Sequence, residues 1–199
     1  MKKIKQWIKQ LLRPSLDKVD ESSEESFPAS DSPAWAGHEP LPTDPETYNP
    51  THLLREEHRH IMQMIYLLHA QIENLQQGKN LHPEKMQEII LFMENFVDKN
   101  HYTKAENILF PALEKCGAPL TQYSFDAVKQ DHLLSIKLVN RLKQYTTLSH
   151  EELINTMLQL KDVCTEHTLR EENFIFPLVE KHLSKSTQKS LFNQMKSIV

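Results

Sequence analysis

From residue 51 onward, apolar side chains recur every three to four positions with polar residues between them, the pattern of helices that bury one face. The spacing predicts a first helix over 51–77, with His58, Met62, Ile65, His69 and Ile72 on one face. Thr51 suits its N-cap, and Gly78 suits the left-handed residue that ends it. A second helix is expected over 83–115, with Pro83 in its first turn and an inward line of Ile90 or Met93, Val97, His101, Ala105, Ile108 and Ala112. Gly117 and Pro119 mark the turn into a third helix, 121–146, carrying Phe125, Val128, His132, Ile136 and Val139. A fourth, 149–182, presents Leu153, Leu160, Val163, His167, Glu171, Phe174 and Leu178. A tail helix over about 186–198 aligns Leu191, Met195 and Ile198 and is placed to close one end.

Four long amphipathic helices joined by short loops predict an all-α fold, an up-down-up-down four-helix bundle over residues 51–199. Only three glycines occur in 199 residues, fewer than the turns of a single-domain β-protein need. Ahead of the bundle the pattern changes. Seven of the eleven prolines fall in residues 14–50, with several acidic residues and few aliphatics. Such a stretch cannot offset its ordering entropy by burial and reads as a disordered N-terminal linker. Its segment 24–35 holds two aromatics, Phe27 and Trp35, and reads either as a docking peptide for a protein partner or as plain linker. Residues 1–13 form a basic amphipathic helix, with Ile4, Trp7, Ile8, Leu11 and Leu12 on one side and lysines largely off it. One reading is weak contact with an anionic membrane surface, and the other is a cap on the domain.

A net charge of -4 argues against nucleic acid as a partner, since phosphate binding needs a basic face. Cys116 and Cys164 form neither a C-x-x-C motif nor a disulfide framework, which points to a reducing compartment. No apolar run is long enough to span a membrane, and the N-terminus lacks a signal peptide's apolar core. A cytoplasmic location, in part peripheral to the inner face of the membrane, is the expectation.

The chemistry concentrates in a repeat. His101-Tyr-Thr-Lys-Ala-Glu-Asn-Ile-Leu-Phe-Pro111 reappears as His167-Thr-Leu-Arg-Glu-Glu-Asn-Phe-Ile-Phe-Pro177. Glu57-His58 on the first helix answers to Asp131-His132 on the third. The two prolines break an i→i−4 bond at matching places and should kink or end both helices at one level. Each half thus brings one inward His from its first helix and, from its second, a His followed by a carboxylate. Four imidazoles buried without hydrogen bonds would cost about 1–3 kcal/mol each, and a shared metal removes that cost. Glu57-x-x-His60 lacks the second copy that a ferritin-type site needs, and Cys164, one turn before His167, reads as core more readily than as a redox reporter.

On these motifs residues 51–183 resemble a hemerythrin-like domain, the HHE cation-binding family of four-helix bundles with a non-heme di-iron centre. The resemblance implies iron ligands at His58, His101, His132, His167 and Glu171, and a small ligand such as O2 or NO. The second helix departs from the family, whose glutamate four residues after the His is here Ala105. Glu106, five residues on, reads either as a metal ligand or as a solvated carboxylate. Oxygen-carrying members add a His one turn along the third helix, where this chain has Ile136, so a dedicated carrier is the less expected member. Two function classes follow: an iron protein that senses, scavenges or responds to O2, NO, peroxide or iron, and a helical interaction module with a structural metal or none. The inward Glu171 favours the first, because structural sites are usually closed and rich in Cys or His.

Overall fold

Asn49, two residues ahead of the expected cap Thr51, starts the folded chain: its side chain accepts the His52 N–H at 2.9 Å, and Pro50 follows at the first helical position. The Thr51 hydroxyl instead lies between two acceptors, Asn49 Oδ1 at 2.6 Å and Glu180 Oε1 at 3.0 Å, the latter near the other end of the chain. The computed structural model describes residues 49–118 and 122–198, with the side chains of 122–124 left aside. The expectations for segments 1–13 and 24–35, for Pro119 and for most of the 14–50 linker lie outside the described residues, while Asn49 and Pro50, expected in that linker, belong to the helix start.

The described residues are helical throughout their ordered elements, with no strand. Helix α1 spans Pro50–Gln76 and ends at Gly78, whose φ of +71° is the left-handed conformation expected of it. Helix α2 is a continuous run, 83–115. It is α-helical over Pro83–Phe92, π-helical over Met93–Tyr102 and again over Ala105–Leu109, and α-helical over Phe110–Lys115. Helix α3 covers Gln122–Leu142, followed by a 3-10 turn at Tyr145–Thr147 in place of the helix's expected last turn. Helix α4 is a second continuous run, 150–182, built from His150–Arg170, a π turn at Glu171–Ile175 and Phe176–His182. Ser149 opens it with a capping box, its side chain taking the Glu152 N–H while Glu152 takes the Ser149 N–H. Helix α5, Lys185–Ser197, is capped by Ser184.

Helix α4 packs against both α3 and α1, α1 packs against α2, and α5 lies on α1 and on the second π segment of α2. Leu191 and Met195 of α5 thereby join a core cluster with Leu54, Leu109, Phe110, Ile175, Phe176 and Val179. Among the described residues no helix is long and apolar enough to cross a membrane.

The buried faces differ in register from a simple i, i+4 reading. On α1 the core positions are Leu54, His58, Ile61, Ile65, Leu68, Ile72 and Leu75, alternately four and three apart. That alternation averages 3.5 residues and keeps a seam facing its neighbours. A four-residue step from Ile65 drifts off it, so His69 lies at the surface beside Glu73 rather than inward, and Met62 is only half-buried. The same alternation runs through Phe125, Val128, His132, Ser135, Val139 and Leu142 on α3, leaving Ile136 half-buried.

On α2 and α4 the cause is different. In each π turn the N–H reaches back five residues: Phe110 N–H bonds Ala105 O, and Phe176 N–H bonds Glu171 O. The extra residue advances the register by one. Leu109, Leu113, Ile175 and Val179 are therefore buried where Ile108, Ala112, Phe174 and Leu178 were expected, and Phe174 is 62% exposed. Pro111 and Pro177 do not end their helices. Each follows closely on a π turn, and the helical run continues past it. Ile175→Ala should accordingly destabilise the domain by about 2–5 kcal/mol in denaturant unfolding. Phe174→Gln should stay within about 0.5 kcal/mol of the parent, the reverse of what helical periodicity alone expects.

Candidate metal centre

Four helices each deliver one histidine to the interior: His58 from α1, His101 from the first π stretch of α2, His132 from α3 and His167 from α4, all at most 1% exposed. Glu171, one turn after His167 and the first residue of the π turn, is fully buried with them. Its Oε2 lies 3.0 Å from His58 Nε2, 3.5 Å from His101 Nε2 and 3.7 Å from His167 Nε2. His101 and His167 face each other through their Nε2 atoms at 3.2 Å. One donor atom from each of His58, His101, His167 and Glu171 thus falls within 4.8 Å of the others, the arrangement of a metal-binding cluster.

His132 stands beside this group, its ring centroid 4.7 Å from that of His167. Its Nδ1 is hydrogen-bonded to Glu106, and its Nε2 is buried without a partner. Glu106 is thus brought to the site through His132, from the π turn Ala105–Leu109. Ala105 is buried in the apolar cluster with Leu109 and Phe110.

Glu57, Lys104, Tyr102 and Glu172 were not among the expected site residues. Glu57 accepts from His101 Nδ1 at 3.0 Å, and its other oxygen is held by Lys104 Nζ and by Asn100 Nδ2 at 3.3 Å. Glu172 Oε1 meets His58 Nδ1 at 2.8 Å. Tyr102 stacks on His132 with ring centroids 3.7 Å apart. The available signals were adjacency and spacing: Glu57 precedes His58, Glu172 follows Glu171, and Lys104 lies one turn after His101. Lysine and glutamate are so rarely buried that each reads by default as a surface residue. Cys164 is core as expected: burial pushes its thiol up to about 12, so no nucleophilic thiolate forms there.

The electrostatics reflect a crowded, dry pocket. Burial works against the charged form of Glu171, yet the charge of His167 and hydrogen bonds from His101 and His58 hold its carboxyl well below the usual range. Burial likewise opposes charge on His101, but its contacts with Glu171 and Glu57 outweigh that and lift it to about 9. His167 moves the other way, depressed first by burial and then by the neighbouring imidazoles. A fully buried carboxylate held anionic among imidazoles favours a cation at this point.

Among the four histidines and Glu171, three buried atoms have no hydrogen-bond partner: Glu171 Oε1, His132 Nε2 and His167 Nδ1. Left so, each would cost about 1–3 kcal/mol. Imidazole nitrogens with a carboxylate are a donor set suited to iron and neighbouring transition metals, and the residues present fit such an ion.

No curated protein matches the chain. A family model does match, that of the hemerythrin HHE cation binding domain, over residues 49–179. That range takes in the four long helical runs except for the last residues of α4, and every residue of the buried cluster. The chain belongs to the hemerythrin HHE cation-binding family.

Proposed function

We propose that the four long helices form an up-down-up-down bundle around a non-heme di-iron centre that senses, scavenges or otherwise responds to O2, NO, peroxide or iron itself. The observation that carries this reading is the convergence of His58, His101, His167 and Glu171 in a fully buried cluster. His132 joins through its free Nε2, and Glu106, which here bonds the other ring nitrogen Nδ1, completes the set by exchanging that contact for the metal. Glu171 is the carboxylate placed to be shared, because one of its oxygens already lies between His58 and the His101–His167 pair.

Iron held by these side chains supplies a Lewis-acidic, redox-active centre for a small ligand. The chain's own contribution is to orient imidazoles and keep bulk water out. Where the family's second carboxylate would stand, Ala105 offers only a methyl group, which leaves the His58–His101 side with fewer protein donors. Fewer donors favour exchange of small ligands over tight storage. A closed structural site is the weaker reading, because the cluster contains no cysteine and includes a buried glutamate.

We also place the chain in the cytoplasm, with residues 1–13 adding weak contact with anionic membrane surfaces, on the amphipathic pattern of that segment. Full-length protein should sediment with anionic vesicles in a salt-dependent way, and deleting residues 1–13 should abolish it. Equal sedimentation of the shortened chain removes this contact.

Protein purified without oxygen should contain iron and change its visible spectrum when O2 or NO is added. His132→Ala and His167→Ala should each lose most of the metal while circular dichroism stays helical. Full iron content in both variants overturns the ligand assignment. Glu106→Ala should lower iron occupancy in the same measurement, with the loss confined to the His132 end, so the ions held per chain fall without abolishing binding. Occupancy equal to the parent's removes Glu106 from the set.

A further inference from the structure

We propose that Glu57 is a positioning residue of the metal centre, gripping His101 at Nδ1 so that Nε2 faces the cluster, with Lys104 and Asn100 holding Glu57 in place. The proposal rests on the metal-binding reading given above. Glu57 comes from α1 and His101 from α2, and the two meet at 3.0 Å. The second oxygen of Glu57 is taken by Lys104 Nζ and Asn100 Nδ2, which lie on α2 on either side of His101. Helix α2 thus supplies both the ring and the two groups that fix the ring's acceptor.

The burial of this network needs explaining. Glu57 is 5% exposed and Lys104 is 4% exposed. A buried ion pair gives folding little, because an apolar pair of the same volume usually serves as well or better. The contact that an apolar pair could not make is the one to His101 Nδ1. A carboxylate at that nitrogen selects the tautomer, aims the other nitrogen and makes it a stronger donor.

The other rings give the comparison. His58 Nδ1 meets Glu172, and His132 Nδ1 meets Glu106. The side chains of Glu172 and Glu106 are 28% and 38% exposed, so water can take over much of their role. Glu57 is sealed, and its charge is matched by a sealed lysine. His167 Nδ1 has no partner at all. His101 is therefore the most firmly aimed ring of the four, and the Glu57–Lys104 pair is what aims it.

The test is anaerobic chelator competition for Fe(II), repeated with Zn(II), on full-length protein. The double variant Glu57→Leu with Lys104→Met removes both charges at nearly constant volume and leaves no unpaired ion. It should lose about 10–100-fold in metal affinity. The metal-free double variant should keep the parent's helix content and a cooperative melt, whereas a purely structural pair would leave metal affinity at the parent's value. Glu57→Gln keeps an oxygen for Nδ1 but loses the charge, and its affinity should fall between the two.

In zinc-loaded protein with 15N-labelled histidine, the Nδ1–H of His101 should be protected from exchange in the parent and in Glu57→Gln, and lost in the double variant. Parental affinity in a folded double variant overturns the role of Glu57. Should the double variant unfold, parental affinity in Glu57→Gln overturns it instead. Failure of the parent itself to take up Fe(II) or Zn(II) overturns the metal-binding reading, and this proposal with it, so the two failures are told apart.

Discussion

A buried imidazole has two ring nitrogens, and each needs a partner that the surrounding helices must provide. Four such rings in one interior make this the governing constraint on the domain. The structure meets it by dividing the labour: three Nδ1 atoms face carboxylates, while Nε2 atoms crowd toward Glu171 and one another. Neighbouring chemistry follows from that division. Glu57 is buried because His101 is, and Lys104 is buried because Glu57 needs a counter-charge. Tyr102 lies flat on His132 because a stacked ring excludes water without competing for its nitrogens. The three atoms still unpartnered mark where the protein's own groups stop and a cation fits.

The helices were legible because their periodicity and punctuation agree. Gly78 in the left-handed region and Pro83 at a helix start stand where turn chemistry puts them, and Asn49, which precedes a proline, differs from the expected cap by two residues. The inward histidines were legible for the same reason, since each lies on an apolar stripe and the stripes repeat between halves. The detailed faces were not. His69 and Ile136 fall off the seam because packed helices follow an average of 3.5 rather than a fixed step of four. Phe174 and Leu178 fall off because a backbone hydrogen bond five residues long leaves no mark in composition.

Glu106 shows how the two scales interact. Counted on an ideal helix, a residue five after His101 points well away from it, which left its reading open. A π turn begins at Ala105, and the Glu106 carboxylate meets His132 on the neighbouring helix. Glu57 was missed for the opposite reason. Adjacency to His58 was its one signal, and its partners, His101 and Lys104 on another helix, reveal that it is buried.

The matched π turns before Pro111 and Pro177 have a consequence for anyone who would move this site elsewhere. Each surplus residue lies between the metal-facing stretch and the apolar floor of Phe110, Phe176 and Val179. A regular helical scaffold that copied the histidines and Glu171 in register would place that floor about 100° out of phase. One that copied the floor would swing the histidines away from each other. The centre and its foundation are therefore separable only as a unit that includes the irregular turn, and a strictly repeating template cannot host it.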